Sequence, residues 1–574
     1  MKKLILSAAV LALTACQSEP AEQHPDVTVF PAASVVTMTG EGDVATAVAI
    51  RQDKIVGVGN LESLTAEFSG SSIDESFKNK NILPGLIDPH MHTMLGGLFY
   101  AQPFAPPWPM AMPGGMTNGF DTPGKFHARL AEIVAAAPTE QEVILAYGFH
   151  NLVQGDLDRK ILDRISPDRP LVVWHYSGHD FYLNSAAIEF VGVTPALAET
   201  YHGVDLYPDG ELTGRIYEDA VMNVFDGIAP HVFRPQDIAR GLNTYFAIMR
   251  NSGITTTADL GYGIFGRENE NATIGAFWSM EKNAFRLYLI PEHRAFTREF
   301  GDDAPKVISE LVSGDRPAPA PVLPRVKFFT DGAFYSQTMR LSPPGYLAGQ
   351  SQGSKGLWVT EPGELYAIMR PYLEAGLSAH VHSNGDAAQT ETLNAFQEAR
   401  EAGLNNDFVV EHGGLFTDAH TTQAADNGVM LSAASHYVHY MGEAYEAPLG
   451  KDRADRISPL GELSRKGGIV TIHSDAPLAP PDPLLAASRH ITRKTLSGSA
   501  YEPEQSLTPY DAMEAITLDA ARALGLSSEL GTIEIGKKAD FTIVDTNPLT
   551  IDAENWDSIA IWGVVLGGKK RPLN

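Results

Sequence analysis

From Val27 to Val36, and again from Val44 to Val58, apolar and polar positions alternate and β-branched residues are frequent. A period of two puts one face of a strand on a core and the other toward water, so both stretches predict β-strands. Asp53-Lys54 supplies a turn before Ile55-Val56-Gly57-Val58, which makes the region a small antiparallel sheet. The far end repeats the theme: Gly531–Lys538 is turn-rich, and Ala539–Asp545 and Ile559–Leu566 read as strands. One small β-sandwich built from residues 27–80 and 531–574 is the expected result.

Between these ends, short apolar runs recur, mostly separated by helix-length segments. They are Asn81–Pro89, Ile254–Asp259, Arg286–Pro291, Val326–Asp331, Leu377–His382, Phe408–His412, Val429–Ser432 and Ile469–Asp475. Eight such strands in βα alternation predict an α/β fold, a (β/α)₈ TIM barrel over residues 81–530. The gap from Pro89 to Ile254 is too long for one βα unit. Residues of about 99–233 are therefore expected to form an insertion with its own structure. Its Pro/Gly/Met-rich stretch Phe104–Met116 reads as irregular.

Composition narrows the function. With 574 residues and 44% apolar content the chain can bury a large core. The formal net charge of −27, which becomes −29 without Lys2 and Lys3, argues against a nucleic-acid partner. Cys16 is the single cysteine, so neither an internal disulfide framework nor a thiolate metal cluster can form. Met1-Lys2-Lys3 precedes an apolar run, Leu4 to Leu13, too short for a mature membrane span. Leu13-Thr14-Ala15-Cys16 then resembles the lipobox of bacterial lipoproteins. Residues 1–15 are read as a signal peptide, Cys16 as the lipid attachment point and residues 16–26 as a polar tether. The expected place is the cell envelope, periplasmic or at the outer membrane, with the lipid as the only membrane contact; Gln17 fits the outer-membrane pattern. A plain secretory signal with an incidental cysteine is the alternative.

The candidate chemistry sits at strand ends. His90-Met91-His92 closes the first strand, and the period of two puts both imidazoles on one side. Barrel strands deliver their C-terminal ends to the catalytic face, and imidazole is the commonest metal ligand. Lys327 lies inside an apolar strand, where an amine is costly unless paired or neutralised. From that strand alone, an ion pair with Asp331 or another acid is the better reading; a carbamate bridging two metal ions is the other. His380 and His382 close a further strand, with His382 nearer the mouth. Glu411-His412 ends the next, and His473-Ser474-Asp475 the last. His380 and His473 are read as either functional or hydrogen-bonded core. Asp475, at a strand tip, suits a metal ligand and general base.

At these positions the sequence resembles the amidohydrolase superfamily, in its family-3 branch with the N-substituted formamide deformylases. The resemblance rests on Pro84-Gly85-Leu86-Ile87-Asp88-Pro89-His90-Met91-His92, Lys327 with Asp331-Gly332-Ala333, and His382-Ser383-Asn384-Gly385-Asp386. Glu411-His412, Ser474-Asp475-Ala476-Pro477 and Gly531 to Asp540 extend it, and His179 with Asn184-Ser185 resembles a landmark of the insertion. It implies one or two divalent ions, usually zinc. His90, His92 and Asp475 would hold one and His382 and His412 the other, with carboxylated Lys327 between. Ser435-His436-Tyr437 departs from the pattern, so His436 and Tyr437, with His179, are candidate substrate-binding residues.

The resulting expectation is hydrolysis of an amide-type C–N bond in a small, partly apolar molecule, through a metal-activated water with Asp475 shuttling the proton. Phe104–Met110 is expected to roof the mouth or to pack between insertion and barrel. A deaminase or cyclic-amide hydrolase of the same superfamily is the near alternative, weakened by the absence of a Glu after His382-Ser383-Asn384. A non-catalytic, ligand-binding surface lipoprotein is the alternative of another class. The sequence leaves a homo-oligomer open.

Overall fold

The computed structural model describes residues 23–573. The expected signal peptide, Cys16 and the first part of the tether lie outside the described residues. Eight parallel strands form the centre: β1 (Leu86–Met91), β2 (Ile254–Tyr262), β3 (Arg286–Pro291), β4 (Arg325–Phe329), β5 (Ser378–Ser383), β6 (Phe408–His412), β7 (Met430–Ala434) and β8 (Val470–His473). β1, β2 and β3 hydrogen-bond as one arc and β4 to β8 as a second, each in chain order. Single parallel bridges span the seams, Glu292 with Lys327 and Met91 with Ala476. This is an α/β arrangement of the (β/α)₈ type. Every residue of β1, β2, β6, β7 and β8 is buried, as parallel strands covered on both faces require.

Helices cover the outside of the strands. Pro235–Asn251 starts with proline in its first turn and buries Leu242, Tyr245, Phe246 and Met249, a helical stripe. It crosses the helix Thr93–Phe99 closely. A Cβ on Gly241 would lie 2.0 Å from the Gly97 carbonyl oxygen, so only glycine permits this approach. That crossing anchors the helix that begins directly after His92.

Residues 100–233 build a separate five-stranded sheet. Its order is Val204–Leu206, Leu212–Tyr217, Asp180–Leu183, Leu171–His175 and Ile144–Phe149, with only the last pair parallel. The stretch 104–116 departs from the irregular course expected of it. Ala111 pairs with Met116 and Met112 with Gly115, because Pro113-Gly114 turns the chain back on itself.

The two ends of the chain share one sheet. Phe541–Val544 pairs antiparallel with Asn81–Pro84, which pairs with Val27–Val36. Phe30, Val48, Ile82, Phe541, Ile543 and Val565 form its buried cluster. Because Asn81–Pro84 runs straight into β1, this sheet sets the base from which the first two histidines project.

Candidate metal centre

β1 and β8 lie side by side at their C-terminal ends. The His92 N–H donates to the Ala476 carbonyl at 2.9 Å and the Asp475 N–H to the His90 carbonyl at 3.2 Å. Below them, the Ser474 N–H donates to Oδ1 of Asp88 at 3.1 Å, and the Ser474 hydroxyl donates to Oδ2. The strand tips are thereby fixed before any side chain is placed. Asp475 and His412 both sit in the left-handed region, at φ 53° and φ 71°. Asp and His are among the few non-glycine residues that tolerate it, and such strain clusters at functional sites.

The side chains meet. Nε2 of His92 lies 3.3 Å and Nε2 of His90 3.6 Å from Oδ1 of Asp475, and Nδ1 of His412 lies 3.5 Å from its Oδ2. His90, His92 and Asp475 bring one ligand atom each to within 4.8 Å of one another, and so do His90, His412 and His473. Burial holds His90 and His412 far below the ordinary histidine range and His382 at about 3. They are neutral imidazoles at neutral pH, the metal-binding form. Burial opposes ionisation of Asp475, but the surrounding His412, His92 and His90 outweigh it and hold the carboxyl well below the usual range.

Nε2 of His90, Oδ1 of Asp475 and Nζ of Lys327 are among the buried polar atoms without a hydrogen-bond partner. Buried polar groups are ordinarily satisfied, and each orphan costs about 1–3 kcal/mol. Imidazoles and a carboxylate with such free atoms are the donor set for a divalent transition metal, so these residues fit one.

Lys327 corrects the reading taken from its strand. It makes no ion pair with Asp331, whose oxygens instead accept the backbone N–H groups of Asn384, Gly385 and Arg340 at 2.7–2.9 Å. The amine is 1% exposed, lies 5.4 Å from the Phe329 ring centre, and is lowered by burial to about 8. His382 is close but differently engaged. Its ring stands 4.6 Å from that of His412, while Nε2 faces the Gly332 carbonyl at 3.2 Å and the Asn384 amide at 3.1 Å. The residue that completes a cluster with His412 is His473, whose Nε2 lies 3.2 Å from Nδ1 of His412. His380 is a hydrogen-bonded core residue, between Glu411 and the Ala523 carbonyl.

His92, Lys327, His382, His412 and Asp475 open into one cavity of about 630 Å³. His179 and Tyr437 line it; His436 does not, which corrects its placement. His436 lies behind Tyr335, on which its ring stacks at 5.2 Å and which itself lines the cavity. The 104–110 stretch does not roof the mouth either. Trp108 is buried and stacks on Tyr440 at 4.5 Å, between insertion and barrel.

The amidohydrolase family profile matches residues 77–570. The chain belongs to the amidohydrolase family. It is similar to the protein LONG AFTER FAR-RED 3 of Arabidopsis thaliana, at 26% identity over 92% of this chain and 88% of that one. It is also similar to N-substituted formamide deformylase of Arthrobacter pascens, at 23% identity over 90% and 93%. An uncharacterised metal-dependent hydrolase of Pyrococcus horikoshii shares the fold, with a TM-score of 0.67 at 20% identity over 92% of this chain and 99% of that one.

In this amidohydrolase several supporting residues escape sequence reasoning. Glu411 accepts from Nδ1 of His90 at 2.8 Å and from Nδ1 of His380 at 2.6 Å. Glu218, from the insertion, accepts from Nδ1 of His179 at 2.9 Å and from the Ala333 N–H and the Thr338 hydroxyl. Asp331 clamps the loop after β5, where a Cβ on Gly385 would meet the Arg340 carbonyl at 1.8 Å. Glu411 carried a signal, an acid inside an apolar strand beside a histidine. Glu218 carried none, since only the tertiary fold brings it to His179.

Proposed function

We propose that this amidohydrolase cleaves an amide-type C–N bond in a small, partly apolar substrate. The observation that carries the reading is the convergence of His90, His92, His412 and Asp475, with Nε2 of His90 and Oδ1 of Asp475 unsatisfied, at a cavity lined by His92, His412, Asp475 and the unpaired amine of Lys327. His90, His92 and Asp475 would hold one divalent ion, with zinc favoured by the donor set. His382 and His412, helped by His473, would hold a second. A lysine amine lowered to about 8 is still mostly protonated at pH 7, but roughly a tenth of it is neutral, several hundred times the fraction for an ordinary lysine. It can add to CO₂, forming an N–C bond and releasing one proton, to give a carbamate between the two ions. Bound there, such ions supply Lewis acidity that makes water acidic and polarises a carbonyl.

The chain's own residues do the rest. Asp475 accepts the proton of the attacking water and returns it to the leaving nitrogen, so that a carboxylic acid and an amine are released. Phe329, Phe334 and Tyr437 give the cavity aromatic walls suited to an apolar substituent. The formamide activity in the name of the Arthrobacter relative supports an N-formyl or N-acyl amine as substrate. The test is a panel of N-acyl and N-formyl amines incubated with metal-loaded protein and read by mass spectrometry. Release of amine by the wild type and not by Asp475→Asn is expected; no release from any member of the panel overturns the reading.

The envelope location remains our proposal from residues 1–16 of the sequence. No helix among the described residues is long and apolar enough to cross a membrane. Incorporation of labelled palmitate, lost in Cys16→Ala, would support it, and no incorporation by the wild type would refute it.

A further inference from the structure

A second cavity, of about 230 Å³, lies behind the loop that follows β7. It shares no lining residue with the cavity of the metal centre. The segment Tyr437–Met441 is a π-helix, a form frequent at functional sites. Its residues serve both spaces: Tyr437 lines the first cavity, and His439 and Tyr440 line the second. The stacked rings of Tyr335 and His436 stand between them, Tyr335 lining one and His436 the other.

The second cavity is short of partners. His436 is 3% exposed and neither ring nitrogen has a hydrogen-bond partner. Arg489 is half-buried in the last turn of the helix Pro483–Thr492. Among the described residues its guanidinium has no ion pair or hydrogen bond. The chain carries 70 acidic against 43 basic side chains, yet Arg489 forms no ion pair; it acts on Asp482, the N-cap of its own helix, only through its field. It is the one formally charged side chain lining the cavity, since burial keeps His436 and His439 neutral, at about 3 and about 4. Apart from Ser435 and Tyr440 the remaining wall is apolar, and Met116 and Leu496 are 54% and 52% exposed. A guanidinium fork matches a carboxylate geometrically, and the volume falls below the roughly 300–1,000 Å³ of sites for drug-sized ligands.

We propose that this cavity is a binding site for a small organic monocarboxylate, held by Arg489, with its short apolar tail against Met116, Leu485 and Leu496. Such an acid has two sources. It is the acid released by amide hydrolysis next door, or an unrelated acid acting as an effector. The first source rests on the proposed reaction; the binding itself does not.

The test is calorimetric titration of the full-length, metal-loaded protein with sodium hexanoate, using 1-hexanol as the uncharged control. Hexanoate is expected to bind at least tenfold tighter than 1-hexanol. Arg489→Gln should weaken hexanoate at least tenfold, and Leu496→Glu, which puts a repelling carboxylate at the mouth, should weaken it too. Asp475→Asn should leave that binding in place, which separates it from capture by the metal centre. Hexanoate affinity unchanged in both Arg489→Gln and Leu496→Glu overturns the proposal, as does equal affinity for 1-hexanol. The source is read from turnover of an N-hexanoyl amine. Product inhibition relieved in Arg489→Gln assigns the released acid; product inhibition unchanged there, with hexanoate binding lost, assigns an effector. A protein that hydrolyses no amide still answers the binding question.

Discussion

Oε2 of Glu411 lies 2.8 Å from Nδ1 of His90, beneath the ligand cluster, and decides which nitrogen His90 turns toward Asp475. A carboxylate only accepts, so it fixes the proton on Nδ1 and leaves the lone pair on Nε2, the atom without a partner. Oε1 holds a second ring, lying 2.6 Å from Nδ1 of His380.

Glu411→Gln breaks this arrangement, because an amide can accept from one of the two rings but not both. Metal affinity should fall about 10–100-fold, the usual cost of losing such a supporting partner. Competition against a chromophoric chelator measures it, and an unchanged affinity would count against the role given to Glu411.

Lys327→Met replaces a buried, unpaired amine with an apolar side chain of similar length. The fold should keep or gain stability, while activity falls by about two orders of magnitude or more and bound metal per chain decreases. Thermal unfolding and elemental analysis of one preparation separate these effects. Full activity in the variant would remove the lysine from the centre.

Asp331→Ala leaves three backbone N–H groups without their acceptor. Each unsatisfied buried donor costs about 1–3 kcal/mol, so a loss of at least ~2 kcal/mol is expected in urea unfolding. A smaller change would mean that water replaces the carboxylate at that loop.

Glu218 makes acid stability a probe of the insertion. Burial alone would raise its pKa, but His179, Thr338 and the Ala333 N–H overcome this and hold it at about 2, against an ordinary 4.5. A depressed acid stabilises the fold above its unfolded pKa. That contribution, on the order of 3 kcal/mol, is lost as the pH falls from 4.5 toward 2. Glu218→Gln should therefore be less stable than wild type at pH 6, and the gap should close progressively below pH 4.5, with convergence only near pH 2. Urea midpoints across that range test it; a gap that stays constant with pH would show the effect is not electrostatic.

The strand ends were legible in the sequence because period-two burial and Pro84-Gly85 mark where β1 emerges, and His90 and His92 follow from that spacing. Depth inside the ring of strands was not legible. His380 and His473 each stand two residues before a candidate ligand, yet one is locked between Glu411 and Ala523 and the other joins His90 and His412. Spacing along one strand cannot report what the neighbouring strand contributes. Lys327 was misjudged from its strand for the same reason, since the backbone donors that occupy Asp331 come from loops distant in sequence. His436 and Tyr437 are adjacent in the sequence, yet only Tyr437 lines the cavity, because His436 stacks behind Tyr335, a contact with a distant loop that leaves no periodic trace.

The most direct test of the central claim is the metal-to-protein ratio of the purified chain, measured by elemental mass spectrometry alongside hydrolysis of N-acyl amines. One or two divalent ions per chain are expected in the wild type. Both the ions and the activity should be lost together in the double substitution His90→Ala, His92→Ala, in a protein that still folds. A chain that hydrolyses its substrate at full rate without metal, or keeps its ions when both histidines are gone, contradicts the account.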